Sequence, residues 1–182
     1  MNSNNIITLY HGSIYDFKII DINKGKPYKD FGNGFYTSRS EPHATNFAIR
    51  NKEIETERNA LRNKNIHDTA WLYIYEFDLN HLDLLNTKEF LAPDREWMQF
   101  VVLNRMNKTK QHDYDIVIGA TANDNTRVSI QTVLSAANGQ LLNERALDAL
   151  ITLIEPDNLP PQYFFGTQRA VELLQLKNRR KL

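Results

Sequence analysis

Cysteine is absent from these 182 residues, which removes disulfides, thiolate nucleophiles and any metal site built on sulfur. Glycine is scarce, at seven, so any place where glycines gather has a local reason. A charge excess is also lacking. Lys+Arg and Asp+Glu both number 22, and no global field argues for nucleic acid, a membrane surface or an acidic substrate. No stretch approaches the roughly 20 apolar residues that span a bilayer. Met1 to Asn5 are polar, with no apolar signal segment behind them. The expectation is a cytoplasmic protein with no membrane partner, unless it is delivered as an effector by a route without a cleaved signal.

The stock catalytic signatures are missing as well. The glycine pair at Gly32 and Gly34 fails as a dinucleotide fingerprint, because Thr37 stands where the third glycine is required. No Gly-Lys-Ser/Thr makes a phosphate loop. "HGS" at 11–13 has no nucleophile elbow around it. His11, His43, His67, His81 and His112 include no H-E-x-x-H pair, so no metal is expected. The last four of these histidines are read as structural or exposed. The basic cluster Arg105, Lys108, Lys110 and the basic tail Lys177, Arg179, Arg180, Lys181 are read as solvated surface.

What is present has the composition of one soluble globular domain, taken as residues 1–182, with 41% hydrophobic and 24% charged residues. "IITLYHG" (6–12) and "GFYTS" (34–38) read as short strands, and residues 42–64 as a helix opened by Pro42. "WLYIYEFDL" (71–79) is the clearest strand. Residues 94–106 read as a helix capped by Asp94, 114–120 as a buried strand, and 143–154 as a helix capped by Asn143. "QYFFGT" (162–167) reads as a last strand, followed by a short helix over "QRAVELLQL". Strands and helices mix without regular alternation, which points to an α+β fold.

Three short motifs stand apart: "YHGS" (10–13), "FGNGFYTS" (31–38) and "QYFF" (162–165). In this order they resemble the His-Tyr-Glu motifs of the ADP-ribosyltransferase superfamily, in its diphtheria-toxin and poly(ADP-ribose)-polymerase-like branch. Phe47 falls where that branch has a second aromatic after the tyrosine, and Ala44 where it has a small residue. The wider pattern, including "DFGNGFYTS", "FVVLNR" and "YDIVIGATAND", is similar to a prokaryotic domain family of uncharacterised function usually placed in that superfamily.

The resemblance implies two small, mainly antiparallel sheets forming an NAD cleft flanked by helices. It implies catalytic roles for Gln162, Tyr36 and His11, and NAD binding by His11, Gly12, Ser13, Gly34, Tyr36, Thr37, Ala44 and Phe47. His11 would bond a ribose hydroxyl, and Tyr36 with Phe47 would sandwich the nicotinamide. Gly12 would admit backbone to its carboxamide, while Gly32 and Gly34 turn the chain beneath the ring. The implied activity is mono-ADP-ribosylation of a macromolecule, protein or nucleic acid, by a bacterial toxin, effector or defence enzyme, with an antitoxin as a further partner.

Gln162 replaces the usual glutamate, and a neutral amide stabilises a developing sugar cation less than a carboxylate does. This implies slow chemistry, no polymer elongation, or a nucleophile that needs no base. A second carboxylate, Glu155 or Glu172 by sequence proximity, is another solution. Two rivals stay open: a non-catalytic NAD or ADP-ribose binding module, and an NAD glycohydrolase. Phe47 as a core residue, and Gln162 as a solvent-facing side chain on an edge strand, are the purely structural readings.

Overall fold

A computed structural model of the chain describes residues 5–62, 69–122, 126–136, 143–154 and 160–182. The alternating apolar run at the start forms strand β1 (Ile6–Ser13), and Phe35–Ser38 forms β2. Ser40 then caps helix α1 (Glu41–Leu61), its Oγ accepting from the His43 amide at 3.2 Å. Aromatic and β-branched residues make β3 (Trp71–Asp78), and a three-residue strand β4 (Thr87–Glu89) follows. Helix α2 (Arg95–Met106) is capped as the sequence predicts, with Asp94 Oδ1 accepting from Trp97 N at 2.9 Å.

Beyond it lie β5 (Ile116–Gly119), α3 (Thr126–Ala136) and α4 (Glu144–Ile154). Asn143 caps α4, accepting from Ala146 N at 3.0 Å. The chain ends with β6 (Gln162–Phe165), the single-turn helix α5 (Gln168–Val171) and β7 (Gln175–Lys181).

The class is α+β, with one seven-stranded mixed sheet ordered β4-β5-β6-β2-β1-β3-β7. The two sheets expected from sequence are not what forms. Their place is taken by two well-zipped halves meeting at a narrow seam. β1 pairs with β3 along all eight residues, and β2 with β6 along all four. Between β1 and β2 the register joins Tyr10 to Ser38 alone.

Strand alternation sends successive side chains to opposite faces. Leu9, Phe35, Tyr73, Phe77, Tyr163 and Phe165 build a core on one face, closed by residues such as Phe17, Ile20 and Leu82. Phe164, Val117 and Phe31 build the other, with Trp97, Met98 and Val101 of α2 and Leu147 and Leu150 of α4.

One further expectation is corrected. "QRAVELLQL" is one helical turn followed by a strand, because the tail pairs with β3 at the sheet edge. The basic tail lies on the surface as expected, and three of its residues pair there with carboxylates: Lys177 with Glu76 at 3.1 Å, Arg179 with Asp16, and Arg180 with Glu41. Charges along an edge strand also discourage pairing with another chain. No helix among the described residues is long and apolar enough to cross a membrane.

Candidate functional site

The seam between β1 and β2 positions the first two motifs. Where backbone pairing stops, a side chain takes over: His11 Nδ1 lies 2.7 Å from the Tyr36 carbonyl oxygen. A carbonyl only accepts, so Nδ1 carries the proton and Nε2 holds a lone pair. The ring stacks on Phe35 at 4.2 Å between centroids and meets the edge of Phe17 at 5.8 Å. Burial in these aromatics lowers the imidazole pKa to about 4, against a smaller opposing effect of the Tyr36 bond. At neutral pH His11 is therefore an uncharged imidazole in one fixed tautomer. Its Nε2 has no protein partner among the described residues and is not sealed from solvent.

Tyr36 points to the opposite face. It lies two residues from Ser38, which pairs with Tyr10, so it shares a face with Tyr10 while His11 does not. Its hydroxyl donates to Gly32 O at 2.7 Å and accepts from Phe31 N at 3.1 Å, and its ring tilts against Phe164 at 5.0 Å. Burial, and then the nearby Asp30 charge, push the phenol pKa well above its usual value. This hydroxyl braces the turn at Gly32, whose φ of 84° is the left-handed region that glycine adopts freely.

The remaining predicted residues are placed as follows. Gly12 backs onto α1, where an added Cβ would sit 2.0 Å from the Ala44 carbonyl oxygen. The glycine thus lets the helix, with buried Ala44 and Ala48, lie directly on the strand. Gly34 faces the Phe164 ring, 2.2 Å from where a Cβ would be. Ser13 Oγ accepts from Tyr15 N at 3.0 Å, and buried Thr37 donates to Tyr163 O at 3.3 Å. Phe47, on α1, is 38% exposed and is not a core residue.

Gln162 is neither on an edge nor in water. β6 lies between β5 and β2, and the side chain is buried. Its Nε2 donates to Asp30 Oδ2 at 2.7 Å and to the Ala120 carbonyl at 3.1 Å. Asp30 is itself buried. Its Oδ1 receives Arg105 Nε at 2.6 Å and its Oδ2 receives the Ala122 amide at 3.1 Å. The carboxylate beside position 162 is therefore Asp30. Glu172 is exposed at the end of α5 and Glu155 lies outside the described residues, as does His67.

Asp30 stands at the head of "DFGNGFYTS" without any signal of its own; only its placement beside Gln162, 132 residues away in sequence, exposes the pair. Arg105, expected on the solvated surface, has a side chain only 12% exposed. Lys110 is likewise half-buried, donating to Gly166 O at 2.8 Å, and burial lowers its pKa. His112 is structural, with Nε2 donating to Phe31 O at 2.9 Å and Nδ1 accepting from Tyr114 N at 3.2 Å. No group of three His, Asp or Glu able to hold a metal ion occurs among the described residues.

The arrangement divides these groups between the two faces of the sheet: the His11 Nε2 acceptor lies on one, and Gln162 Oε1, the partly buried Tyr36 ring and Phe47 of α1 lie on the side of the other. Such a set suits a ligand with hydroxyl or amide donors and a planar ring. No curated protein and no solved structure matches the chain. Residues 7–176 match a family described as "Protein of unknown function (DUF3990)", and the chain belongs to that family.

Proposed function

We propose that the protein is a mono-ADP-ribosyltransferase that uses NAD as substrate, with the β1–β2 seam as its binding site. The observation that carries this reading is His11. A neutral imidazole whose proton is committed to the Tyr36 carbonyl can present only an acceptor, to which a ribose hydroxyl can donate. On the face opposite to His11, Tyr36 and Phe47 would offer ring surface for nicotinamide and Gln162 an amide oxygen for a second sugar hydroxyl, so the dinucleotide would reach across the seam. NAD supplies the reactive bond: nicotinamide leaves C1′ with the bonding pair, and an acceptor nucleophile bonds to C1′ and loses a proton. The chain's residues bind and orient, which is where much of the barrier reduction for such a bond comes from. On this reading the partners are NAD and a protein or nucleic acid acceptor. The biological setting is a toxin, effector or defence enzyme held in check by an antitoxin.

One observation favours a different reading, an NAD or ADP-ribose binding module without turnover. Both oxygens of Asp30, the carboxylate beside Gln162, are already occupied by Arg105, Gln162 and the Ala122 amide. Incubating the purified protein with labelled NAD and cell lysate separates these outcomes. Nicotinamide release with label transfer supports the transferase. Release alone indicates a glycohydrolase, and binding without release indicates the module. Absence of any NAD binding overturns the proposal.

A further inference from the structure

We propose that Asp30 is the positioning residue of position 162: it turns the Gln162 amide so that an acceptor, and never a donor, meets the ligand. An amide side chain can point either end outward, and nothing in glutamine itself chooses. Here the choice is made twice over. Asp30 Oδ2 at 2.7 Å and the Ala120 carbonyl at 3.1 Å are both acceptors, so both must face Nε2. Oε1 is left pointing away from them, with no donor from any described residue and no seal against solvent. Asp30 is held in turn by Arg105 at 2.6 Å and the Ala122 amide at 3.1 Å, so it cannot rotate without breaking both.

The carboxylate and the outward acceptor are thus divided between two residues. Gln162 presents a neutral oxygen, and Asp30 holds the negative charge behind it. A hydrogen-bonded chain of this kind polarises the amide, making its oxygen a better acceptor. The ligand group that fits is a hydroxyl or an N–H, which a ribose provides. That identity rests on the NAD reading above, while the amide orientation does not.

The same geometry implies that Gln162→Glu does not simply restore a catalytic carboxylate. A glutamate at 162 would set an oxygen against Asp30 Oδ2 and the Ala120 carbonyl, with no proton between them. Like charges at that separation repel unless one group takes up a proton. Asp30→Asn has the opposite effect. With Arg105 taking the remaining oxygen, the new NH2 meets the donors of Gln162 and the Ala122 amide, and the Gln162 amide loses the contact with Asp30 that fixes its orientation. Combining the two changes gives the introduced asparagine NH2 a carboxylate to donate to and so relieves part of the mismatch, while the Ala120 carbonyl and the Ala122 amide keep unsuitable partners.

The test has two arms. In the first, wild-type protein labelled with 15N-glutamine is followed by NMR. The Gln162 side-chain NH2, identified by its loss in Gln162→Glu, should exchange with solvent far more slowly than the exposed side-chain amides. Exchange as fast as theirs overturns the proposal without reference to any ligand or to the folding of Asp30→Asn. In the second arm, NAD affinity is measured by calorimetry for wild type, Asp30→Asn, Gln162→Glu and the double variant. Each single change should weaken binding about five- to thirty-fold, and the double variant should bind more tightly than the two single losses combined would give. A double variant as weak as the sum of the singles overturns the positioning role. Slow exchange in a wild type that binds no NAD would leave Asp30's role standing and overturn the NAD reading instead.

Discussion

The Nδ1 nitrogen of His11 lies 2.7 Å from the carbonyl oxygen of Tyr36, and this side chain closes the gap where β1 and β2 stop pairing. The bond fixes the tautomer, and the surrounding aromatics lower the pKa from 6.5 to about 4. Between those values the unfolded chain binds more protons than the folded one, so this group makes stability rise with pH across that window. Its contribution is complete above 6.5 and lost as pH falls toward 4. Denaturant titrations from about pH 8 to pH 4 should show this slope, and His11→Gln should flatten it. Ligand affinity should hold down to about pH 5 and then fall, because protonated Nε2 becomes a donor.

Tyr36 separates ring from hydroxyl. Tyr36→Phe keeps the ring but leaves Gly32 O and Phe31 N without their partner. We expect a loss of about 1–3 kcal/mol in stability with NAD affinity within about two-fold of wild type. Thermal melting and calorimetry read the two effects independently. An affinity loss as large as that of Tyr36→Ala would assign the ligand contact to the hydroxyl.

Helix α1 gives a pair of contrasting variants. Gly12→Ala drives a methyl into the Ala44 backbone, and a rigid helix cannot step aside locally. The expected cost is about 1–3 kcal/mol or more, lowering the melting temperature by about 2–4 °C per kcal/mol. Phe47→Ala removes a side chain that is 38% exposed. It should cost under about 1 kcal/mol of stability while weakening NAD binding by the value of a stacking contact, about 0.5–1.5 kcal/mol.

Asp115 sets a second, more acidic window. Arg169, Thr167 and the Asn86 amide hold its carboxylate down to about 2, and the side chain is buried. A lowered carboxylate contributes stability above its ordinary value of 3.8, and that contribution is lost as pH falls through about 2. Arg169→Ala should bring forward the acid unfolding transition, moving it to higher pH. An unchanged transition would mean that the exposed arginine contributes little to this carboxylate.

How much of this is legible in the sequence follows from the range of the interactions. The caps Asp94 and Asn143 bond amides three residues on, so composition and spacing reveal them. β3 announces itself by residue type. The tail does not: "VELLQL" has helical character, and only pairing with β3, about a hundred residues earlier, makes it an edge strand. β4 and α3 carry no signal strong enough to be read. At the candidate site, pattern alone finds the motif residues on β1, β2 and β6, and β2 does pair with both neighbours. Asp30, Arg105 and the opposite facing of His11 and Tyr36 depend on register and tertiary contact. Arg105 in particular is indistinguishable from a surface charge until its carboxylate partner is known.

The most direct measurement is a calorimetric titration of NAD into wild-type protein and His11→Ala, with thermal melts to show that both are folded. The expected result is saturable binding to wild type and an affinity about five- to thirty-fold weaker in His11→Ala, the cost of one lost hydrogen bond to a ribose hydroxyl. No binding to the wild type, or equal affinity in the two folded proteins, would contradict the assignment of the β1–β2 seam as an NAD site.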